Sequence, residues 1–587
     1  MERWFIKNNG VDPLIIAKDL GINEIISKIL INRDIIDYKD IEMFLNPKLE
    51  SLHSPTLMMD LELGASIIKE KIEKNKKIRI VGDFDVDGVI SVYILYISLK
   101  KLGANVDFTI PDRVQDGYGI NNEIIQKAKQ EGVDTIITCD NGISAIEQVK
   151  KAKELGLTMI ITDHHDLPYI EEDGVKKYTI PEADAVINPK RLDCDYPFKK
   201  LCGAGVAYKL IQQIHFLFHI NPEETHLLLE FVAIATVCDV VDLVDENRII
   251  VKKGLELINK TKNIGLKNLI IESGINNSNI TAYHLGFVIG PTINASGRLE
   301  SALLSLELLM EKEEDKAAQM AKNLRSINEE RKRMTSEGLE GIIEKIEQSS
   351  LKNDKILVIF EPEIHESIAG IIAGRIKELY YKPTIVLTKG LEGVKGSGRS
   401  IEEYNMFEEL TKCKELLNRF GGHPMAAGLT LDEDNIDKLK IHLNSNTTLS
   451  NQDLIPKIYI DMGLPMEYIN YGLVEELKDL EPFGKGNSKP IFGEKSLKIN
   501  SLSILGINKN VLKLKLESKK GTTMEGMYFG DIEEFQNRLI FKYGKEEMEK
   551  ASKDIKNKVL LDIVYNPNIN EYMGNTKLQL IIQKYRF

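Results

Sequence analysis

Short apolar runs alternate with amphipathic segments from residue 77 to about residue 190. The runs are rich in β-branched residues, whereas the segments between them carry apolar residues at helical spacing. Continuous apolar strands that alternate with amphipathic helices are typical of a parallel, doubly wound sheet. The pattern therefore predicts an α/β domain with strands in the runs 77–83, 134–140, 158–165 and 183–189.

A long helix is predicted over residues 302–349. Apolar residues recur there at roughly helical spacing among many Glu, Lys and Arg residues and without proline. A charged helix of this length is more typical of a connector between two lobes than of an independent domain. The run KILVIF, residues 355–360, then opens a second α/β unit, which the polar stretch NSNTTLSNQD closes near residue 445.

The chain from about residue 455 shows a third pattern. Five strand-like runs include clear period-two alternation, and a helical segment near residues 531–552 separates the third run from the fourth. This order favours an OB-type barrel, although a small sandwich has a similar pattern. The predicted division is an N-terminal helical segment, a large α/β domain, the connecting helix, a smaller α/β domain and an OB-fold domain, at residues 1–60, 61–301, 302–349, 350–448 and 455–587.

Length and composition narrow the class of protein. The chain has 587 residues, too many for one hydrophobic core, and 43% hydrophobic with 28% charged residues indicates a soluble protein. No segment has the pattern of a secretion signal or approaches the ~20 apolar residues of a membrane span, which predicts a cytoplasmic protein without membrane contact. The cysteines lack paired spacing, which favours buried packing over disulfides or a zinc site; they are Cys139, Cys194, Cys202, Cys238 and Cys413.

The net charge of −12 weighs against a nucleic-acid partner, because proteins that bind nucleic acids usually carry a basic footprint. A site rich in carboxylates nevertheless has a very different local potential once divalent cations are bound. The charge alone therefore does not exclude a nucleic acid.

Acidic residues and histidines follow three of the predicted strands. They are Asp83, Asp85 and Asp87 in GDFDVDG, Asp140 in TCDNGIS, and Asp163, His164 and His165 in TDHH. In open α/β sheets the functional crevice lies outside the carboxyl ends of the strands. We therefore expect these side chains to converge on one edge of the sheet.

Such a dense group of carboxylates requires cations. Without them the charges repel one another and raise some of the pKa values, and no residue from 83 to 87 is basic. Oxygen ligands with an imidazole favour Mn²⁺ or Mg²⁺, and two ions that share a carboxylate suit phosphoryl chemistry. An isolated acidic turn is usually just solvated and a lone histidine is usually structural, but their occurrence together in one sheet favours a metal site.

The ordered motifs resemble a known family. GDFDVDG, PDRVQDGYGIN, TCDNGIS, TDHH, CGAGVAYKL, ATVCDVVDL and GPTINASGRL are similar to the DHH phosphoesterase superfamily and, within it, to the RecJ family of 5′ to 3′ exonucleases specific for single-stranded DNA. GSGRS and GGHPMAAGLTL resemble the DHH-associated domain, and LEPFGKGNSKPIF resembles the family's entry into its OB fold. The resemblance spans nearly the whole chain, and its specificity comes from the order of the set.

The resemblance implies that two ions, Mn²⁺ or Mg²⁺, are bound by Asp85, Asp87, Asp140, His164 and Asp239, with Asp140 as the bridge. Spacing alone does not indicate Asp239, but a carboxylate in so apolar a run as FVAIATVCDVV needs a partner, which a metal would supply.

Two further residues, Asp83 and His165, would lie beside the ions. Asp83 is either a ligand or a residue that orients water or a neighbouring group. Asp140, His164 and His165 are the expected catalytic residues, and whichever histidine does not bind metal would steer the water or protonate the leaving oxygen.

The resemblance also implies a pocket for the 5′ phosphate of the DNA. Arg113, Arg298, Ser397 and Arg399 would bind this phosphate, and His423 would contact the scissile or a neighbouring phosphate. Arginines and hydroxyl groups distinguish a terminal phosphate by bidentate hydrogen bonds. Lys485 and Asn487 would line the exit toward the barrel, whose own aromatic residues more often pack in a core than stack on bases; they are Tyr528, Phe529, Tyr565 and Tyr572.

The predicted function is that of a metal-dependent exonuclease for single-stranded DNA in recombination and repair. The expected partners are DNA with a 5′ phosphate, a single-strand-binding protein and a RecQ-type helicase, and the chain is expected to be a monomer. A phosphodiesterase for short oligonucleotides or cyclic dinucleotides is the alternative, and a scaffold without activity is a third interpretation. The sequence departs from the family in two places. Phe84 and Val86 replace the tyrosine and alanine that are more usual in the family. Residues 169–182 are longer than the usual turn, so the resemblance does not predict the structure of the cleft rim.

Overall fold

A computed structural model describes residues 2–172, 175–275, 279–390, 393–506, 508–572 and 574–587. The chain forms two units. Residues 49–456 make up one, and residues 1–48 together with residues 457–587 make up the other. No helix within the described ranges combines the length and the apolar character that a membrane span requires.

The larger unit contains the predicted parallel sheet. Five parallel strands lie in the order Asn105–Thr109, Lys77–Val81, Thr135–Cys139, Thr158–Thr162 and Ala185–Ile187. The sheet buries both of its faces: Ile80 and Ile137 belong to one hydrophobic core, while Val81 and Ile136 belong to another on the opposite side. The doubly wound sheet is therefore confirmed. The sequence pattern did not single out strand Asn105–Thr109, because this edge strand is only half-buried and lacks a continuous apolar run.

Helices cover both faces of this sheet and continue beyond it. They span Leu61–Glu73, Val86–Lys101, Asn122–Gln130, Ile146–Glu154, Gly203–Leu217, Pro222–His226, Leu229–Cys238, Asp245–Ile258, Ile264–Glu272, Ala282–His284, Gly290–Leu299 and Leu303–Met310, with a π-helical turn at Leu285–Ile289. A separate hairpin, Tyr169–Glu172 with Val175–Tyr178, lies in the long segment 169–182, of which residues 173 and 174 fall outside the described residues.

The long connecting helix spans Glu314–Glu347 and so begins later than the predicted 302–349. Residues 303–310 form a separate helix because Glu311 and Glu313 both adopt extended backbone conformations. No glycine or proline marks this break in the sequence. The break lets the short helix pack Leu306, Leu308 and Leu309 in the core of the sheet domain.

The second α/β lobe of this unit is also confirmed. Its five strands lie in the order Arg419–His423, Ala426–Leu431, Gly393–Arg399, Thr384–Gly390 and Leu357–Phe360. Only the last two strands pair in parallel. The helices of this lobe span Glu366–Tyr380, Met406–Thr411 and Ile436–Asn446.

The smaller unit is an OB-type barrel with an N-terminal extension. Its barrel strands span Phe492–Leu505, Val511–Glu517, Thr523–Tyr528, Leu560–Tyr572 and Asn575–Arg586, and the fourth strand pairs with the first to close the barrel. Helices Ile532–Tyr543 and Lys545–Ser552 separate the third strand from the fourth, as predicted. Closure of the sheet decides for a barrel over a sandwich.

The N-terminal residues share the core of this barrel unit. Helices Pro13–Leu20, Glu24–Ile31 and Tyr38–Leu45 pack with the barrel and with helix Tyr471–Lys478. The predicted helical segment begins with a strand, Arg3–Ile6, which pairs in parallel with Lys457–Ile460; a two-residue strand, Met462–Gly463, follows and pairs with the first barrel strand. The bounds of the individual domains inside the two units stay predictions.

Candidate active site

Three neighbouring strands of the parallel sheet end in acidic residues. Asp83, Asp140 and Asp163 follow these strands and are each at most 3% exposed. Because the carboxyl ends of parallel strands meet at one edge, the polar residues gather there, as the sequence predicted.

The turn GDFDVDG gives its aspartates separate partners. Asp85 caps the next helix by accepting a hydrogen bond from the Gly88 N–H at 3.0 Å. Asp87 accepts hydrogen bonds from the N–H groups of Gly203 and Ala204, at 2.5 and 2.7 Å, in the first turn of another helix. Unsatisfied N–H groups at a helix start stabilise a carboxylate. Asp85 and Asp87, which are two residues apart, thus accept hydrogen bonds from the first turns of two different helices.

Asp140 occupies a strained backbone position at the centre of the cluster. Its φ of +61° lies in the left-handed region, which non-glycine residues rarely adopt. A Cβ atom at Gly203 would lie 2.6 Å from the Cβ of Asp140, so only glycine permits this close approach. The surrounding structure therefore holds the Asp140 carboxylate in one place.

His164 is directed toward three of the carboxylates. Its Nε2 atom lies 3.1 Å from an oxygen of Asp140, 3.7 Å from one of Asp87 and 3.8 Å from one of Asp239. Asp239 stands at the end of helix Leu229–Cys238, which explains how a charge follows so apolar a run. The structure thus brings His164 and Asp239 together with the strand-end aspartates.

The residues present fit divalent cations. Asp83 Oδ1, Asp140 Oδ1 and His164 Nε2 are buried and have no hydrogen-bond partner within the described part of the chain. Candidate ligand atoms within 4.8 Å of one another form the groups Asp83, Asp85, Asp140 and Asp87, His164, Asp239, and also Asp140, His164, His165. Oxygen donors with imidazole suit Mn²⁺ or Mg²⁺.

The raised pKa values of the carboxylates in the cluster also favour bound cations. Burial and the charge of Asp85 raise the pKa of Asp83 to about 8 and that of Asp87 to about 6. Burial and the neighbouring carboxylates raise the pKa of both Asp140 and Asp239 well above the usual range. Burial and nearby positive charge lower the pKa of His164 to about 3, so its imidazole is neutral and can act as a ligand.

Asp163 organises the second histidine. Its carboxylate accepts hydrogen bonds from the N–H groups of Ile143, His164 and His165, at 2.9, 2.7 and 3.1 Å. It also lies 2.7 Å from Nδ1 of His165, and this bond raises the pKa of His165 to about 9 although burial opposes the charged form. Tyr118 lies 3.1 Å from the same ring and donates its hydroxyl to the main-chain oxygen of Asp140 at 2.8 Å. Asp163 and Tyr118 therefore fix the orientation of His165.

Arginines gather beside the cluster. The guanidinium of Arg113 lies 3.9 Å from the Phe84 ring centroid, and its Nε donates to the main-chain oxygen of Gly297 at 3.3 Å. Arg298 donates to the main-chain oxygen of Ser367 at 2.6 Å. Burial and the charge of Arg113 lower the pKa of Arg298 to about 9, which indicates a surplus of positive charge.

Ser397 and Arg399 join this pocket from the second lobe. Arg399 lies 3.1 Å from the Ser397 hydroxyl, and a Cβ atom at Gly370 would lie 2.7 Å from that hydroxyl and 2.8 Å from the Arg399 guanidinium. The predicted phosphate-binding residues thus lie where the sheet domain and the second lobe meet, in one unit.

Arg331 is a member of this arginine group that sequence reasoning missed. It lies on the connecting helix, where its Nε donates to Asn328 Oδ1 at 3.0 Å, and Asn328 in turn donates to Thr292 at 3.0 Å. Its charge also lowers the pKa of Arg298. The stretch EERKR gives no signal that separates this arginine from its solvent-exposed neighbours.

The four arginines of this group form no ion pair with a carboxylate among the residues that the structure describes; they are Arg113, Arg298, Arg331 and Arg399. Arginine side chains that lack acidic partners in a half-buried pocket favour an anionic ligand.

A cleft of about 1530 Å³ runs between the two lobes of this unit. Arg113, His165, Ser397 and His423 all line it. His423 is more exposed than the others, and its Nδ1 lies 3.5 Å from a carboxylate oxygen of Asp166. The cleft joins the candidate catalytic histidine to the arginine pocket.

Comparison with known proteins assigns the family. The DHH family N-terminal domain matches residues 77–236, the DHHA1 domain matches residues 353–447, and the RecJ OB domain matches residues 460–584. The single-stranded-DNA-specific exonuclease RecJ of Haemophilus influenzae is 32% identical over 560 residues, which cover 92% of each chain. The chain belongs to the RecJ family. RecJ of Bacillus subtilis is 36% identical over 545 residues, or 90% of this chain and 67% of that protein.

Solved RecJ structures have the same fold. RecJ from Thermus thermophilus, crystallised in complex with Mn²⁺, has a TM-score of 0.81 at 24% identity and covers 100% of this chain and 79% of its own. A structure described as exonuclease RecJ bound to manganese has a TM-score of 0.58 at 29% identity and covers 69% of this chain and 100% of its own.

Two expectations for the barrel unit of this RecJ family member concern residues outside the cleft. Asn487 is fully buried, and its side chain donates to the main-chain oxygens of Leu480 and Pro482 at 2.8 Å each, so it supports a turn rather than lining an exit. Tyr565 is fully buried and Tyr528 packs against Phe535, as core packing predicts, whereas Phe529 is exposed. The side chain of Tyr572 lies outside the described residues.

Proposed function

We propose that this protein is an exonuclease specific for single-stranded DNA, which it degrades from the 5′ end to 5′-mononucleotides during recombination and repair. The observation that carries this proposal is the cleft, which is lined both by Arg113 of the arginine group and by His165 of the carboxylate and histidine cluster. A pocket of this kind can hold a terminal phosphate while the next phosphodiester reaches the cluster. The activity named for the RecJ relatives supports the same conclusion.

We propose that two ions, Mn²⁺ or Mg²⁺, bind at the carboxylate cluster. Asp83, Asp85 and Asp140 would hold one position and Asp87, His164 and Asp239 the other, with Asp140 between them. When bound, such ions lower the pKa of water and stabilise charge on the phosphoryl oxygens. Manganese in a RecJ structure that is 29% identical to this chain supports this assignment.

Residues in and beside the cleft would position the substrate. Arg113, Arg298, Ser397 and Arg399 bind the 5′ phosphate, and Arg331 adds positive charge behind it. His165 donates a proton to the leaving 3′ oxygen from the ring nitrogen that does not face Asp163. His423 binds a neighbouring phosphate from the second lobe.

The family resemblance also suggests a cellular setting. We propose that the chain acts as a monomer in the cytoplasm, where a single-strand-binding protein and a RecQ-type helicase would supply its substrate. The family resemblance supports these partners.

A labelled time course tests the proposed function. Single-stranded DNA carrying a 5′ phosphate is incubated with Mn²⁺, labelled at the 5′ end in one reaction and at the 3′ end in another, beside a blunt duplex. We expect immediate release of the 5′ label as mononucleotide, stepwise shortening of the 3′-labelled strand and survival of the duplex. Degradation confined to fragments a few nucleotides long would instead indicate a phosphodiesterase for short substrates.

Replacing Arg399 with alanine is expected to lower the preference for a 5′-phosphorylated end over a 5′-hydroxyl end about 10- to 100-fold. A hydrogen bond to a charged group contributes about 1.5–3 kcal/mol, and the loss falls only on the substrate that carries the phosphate. The measurement is kcat/KM for the two ends. Arg333→Ala, on the exposed side of the connecting helix, is the matched control. An unchanged preference in Arg399→Ala would remove this residue from the pocket.

A further inference from the structure

A two-stranded hairpin stands at the rim of the cleft. Strands Tyr169–Glu172 and Val175–Tyr178 pair only with each other among the described strands, and the Thr179 N–H closes their base on the main-chain oxygen of Pro168 at 3.0 Å. An isolated hairpin is at best marginally stable in water. The packing of the hairpin strands against each other therefore does not explain which side chains the hairpin carries.

Alternation along the hairpin turns one of its faces to the cleft. Tyr169 lies opposite Tyr178, and Glu171 lies opposite Lys176, so these four residues share a face. Tyr169, Glu171 and Lys176 line the cleft, whereas Ile170 is on the opposite face and 60% exposed. The cleft thus receives an aromatic ring, a cation and an acidic residue from the hairpin.

The two tyrosines do not serve a hydrophobic core. Tyr169 is 37% and Tyr178 43% exposed, and neither belongs to a core cluster of the described residues. Their ring centroids lie 5.6 Å apart, and the Lys176 Nζ lies 4.3 Å from the Tyr169 ring centroid. An exposed aromatic ring with a nearby cation offers a surface for a nucleobase and its phosphate.

Aromatic residues of the second lobe line the same cleft. Phe407 and Phe420 do so with a centroid distance of 5.8 Å, and Arg419 lies beside them in the lining. The hairpin begins four residues after His165, so Tyr169 is within about 14 Å of the candidate catalytic histidine along the chain. A strand in the active site could reach the hairpin within about four nucleotides.

We propose that the cleft-facing side of this hairpin is a base-stacking site, in which Tyr169 stacks on one nucleobase of the single strand while Lys176 contacts the adjacent phosphate. This assignment rests on the proposed exonuclease function and adds a subsite to it. Stacking does not depend on base identity, so the site would strengthen binding without sequence preference. It would also favour an unpaired strand, whose bases are free to stack.

An abasic nucleotide tests this site. The full-length protein degrades a 3′-labelled single strand that carries one abasic position, and product lengths are read over time. We expect the wild type to pause at a fixed distance before the abasic position, and we expect Tyr169→Ala to lose that pause and raise KM on normal DNA about 10-fold. Tyr169→Phe should retain both properties, and Ile170→Ala, on the opposite face, should behave as wild type.

The possible results separate this site from the proposed function. Identical pause patterns and KM values in wild type and Tyr169→Ala would overturn the stacking site while leaving exonuclease activity intact. A wild-type protein that releases no mononucleotide from any single strand would overturn the proposed function itself. Loss of the pause in Ile170→Ala as well would show that the variants disturb the hairpin fold and would also overturn the assignment to Tyr169.

Discussion

Replacing Asp140 with alanine is expected to reduce cleavage of single-stranded DNA on the order of 10⁴-fold while DNA binding stays nearly unchanged. Asp140 Oδ1 is buried, has no hydrogen-bond partner among the described residues and lies 3.1 Å from His164 Nε2. Its removal therefore eliminates the carboxylate that both proposed ion positions share. Ions in such sites stabilise the transition state by several kcal/mol, and each 1.36 kcal/mol is a factor of ten. Single-turnover cleavage and fluorescence anisotropy measure the two quantities separately.

The control for this variant is an aspartate outside the cluster. Asp195 is an exposed residue of the same domain, so Asp195→Ala should cleave at the wild-type rate. Cleavage by Asp140→Ala at more than about one hundredth of the wild-type rate would contradict the assignment of Asp140, given the several kcal/mol expected.

Replacing Asp140 with asparagine is expected to raise the stability of the metal-free protein, although a change at this position is expected to abolish activity. Burial and neighbouring carboxylates raise the pKa of Asp140 in the folded state, so its ionised form destabilises the fold above the ordinary aspartate pKa of about 4. In the presence of a chelator, Asp140→Asn should therefore melt at a higher temperature than wild type at pH 7 to 8. The difference should shrink as the pH falls toward 4, which a thermal melt series checks. A residue that raises stability when it is removed but abolishes activity is typical of a functional site.

The sequence predicted the candidate site where local rules apply. Asp83, Asp140 and Asp163 each follow an apolar strand, and strand ends in a parallel sheet meet by geometry alone. Asp239 required the family resemblance, because a charge after an apolar helix has no periodicity that indicates its partner. The histidines were recognised as a pair, and the family resemblance named His164 as the ligand; the distances from its Nε2 to three carboxylates are consistent with that prediction.

Features that depend on distant parts of the chain could not be predicted. Strand Arg3–Ile6 pairs with Lys457–Ile460, and no local pattern specifies a partner some 450 residues away. Arg331 joins the arginine pocket through tertiary contacts, since its Nε atom bonds Asn328 and Asn328 bonds Thr292 of another helix, and its charged neighbours in the sequence hide this role. The family resemblance placed Asn487 at an exit toward the barrel, but a turn that pairs Asn487 with Gly484 buries its side chain. In the first two cases, contacts between segments that are distant in the sequence determine where the residues lie.

Replacing His165 with alanine is expected to lower kcat about 10²- to 10⁴-fold with little change in KM, the range for loss of a positioned proton donor or acceptor. Asp163 lies 2.7 Å from the Nδ1 of this histidine, so we assign the substrate to Nε2, which lies 3.4 Å from the Tyr118 hydroxyl. Asp163 itself is held by three main-chain N–H groups, so the ring orientation is set before DNA binds. His219→Ala, an exposed histidine of the same domain, is the control and should have wild-type kcat.

A modified leaving group identifies which proton His165 handles. If His165 protonates the leaving 3′ oxygen, a substrate with sulfur in place of that oxygen should restore cleavage by His165→Ala to near the wild-type rate, because a thiolate leaves without a proton. If His165 instead orients the attacking water, the variant should be equally slow on both substrates. Because the candidate ligand His164 lies next to it in the chain, metal content must be measured in parallel. Full metal content with rescue by sulfur would assign His165 to the leaving group, whereas lost metal would contradict that assignment.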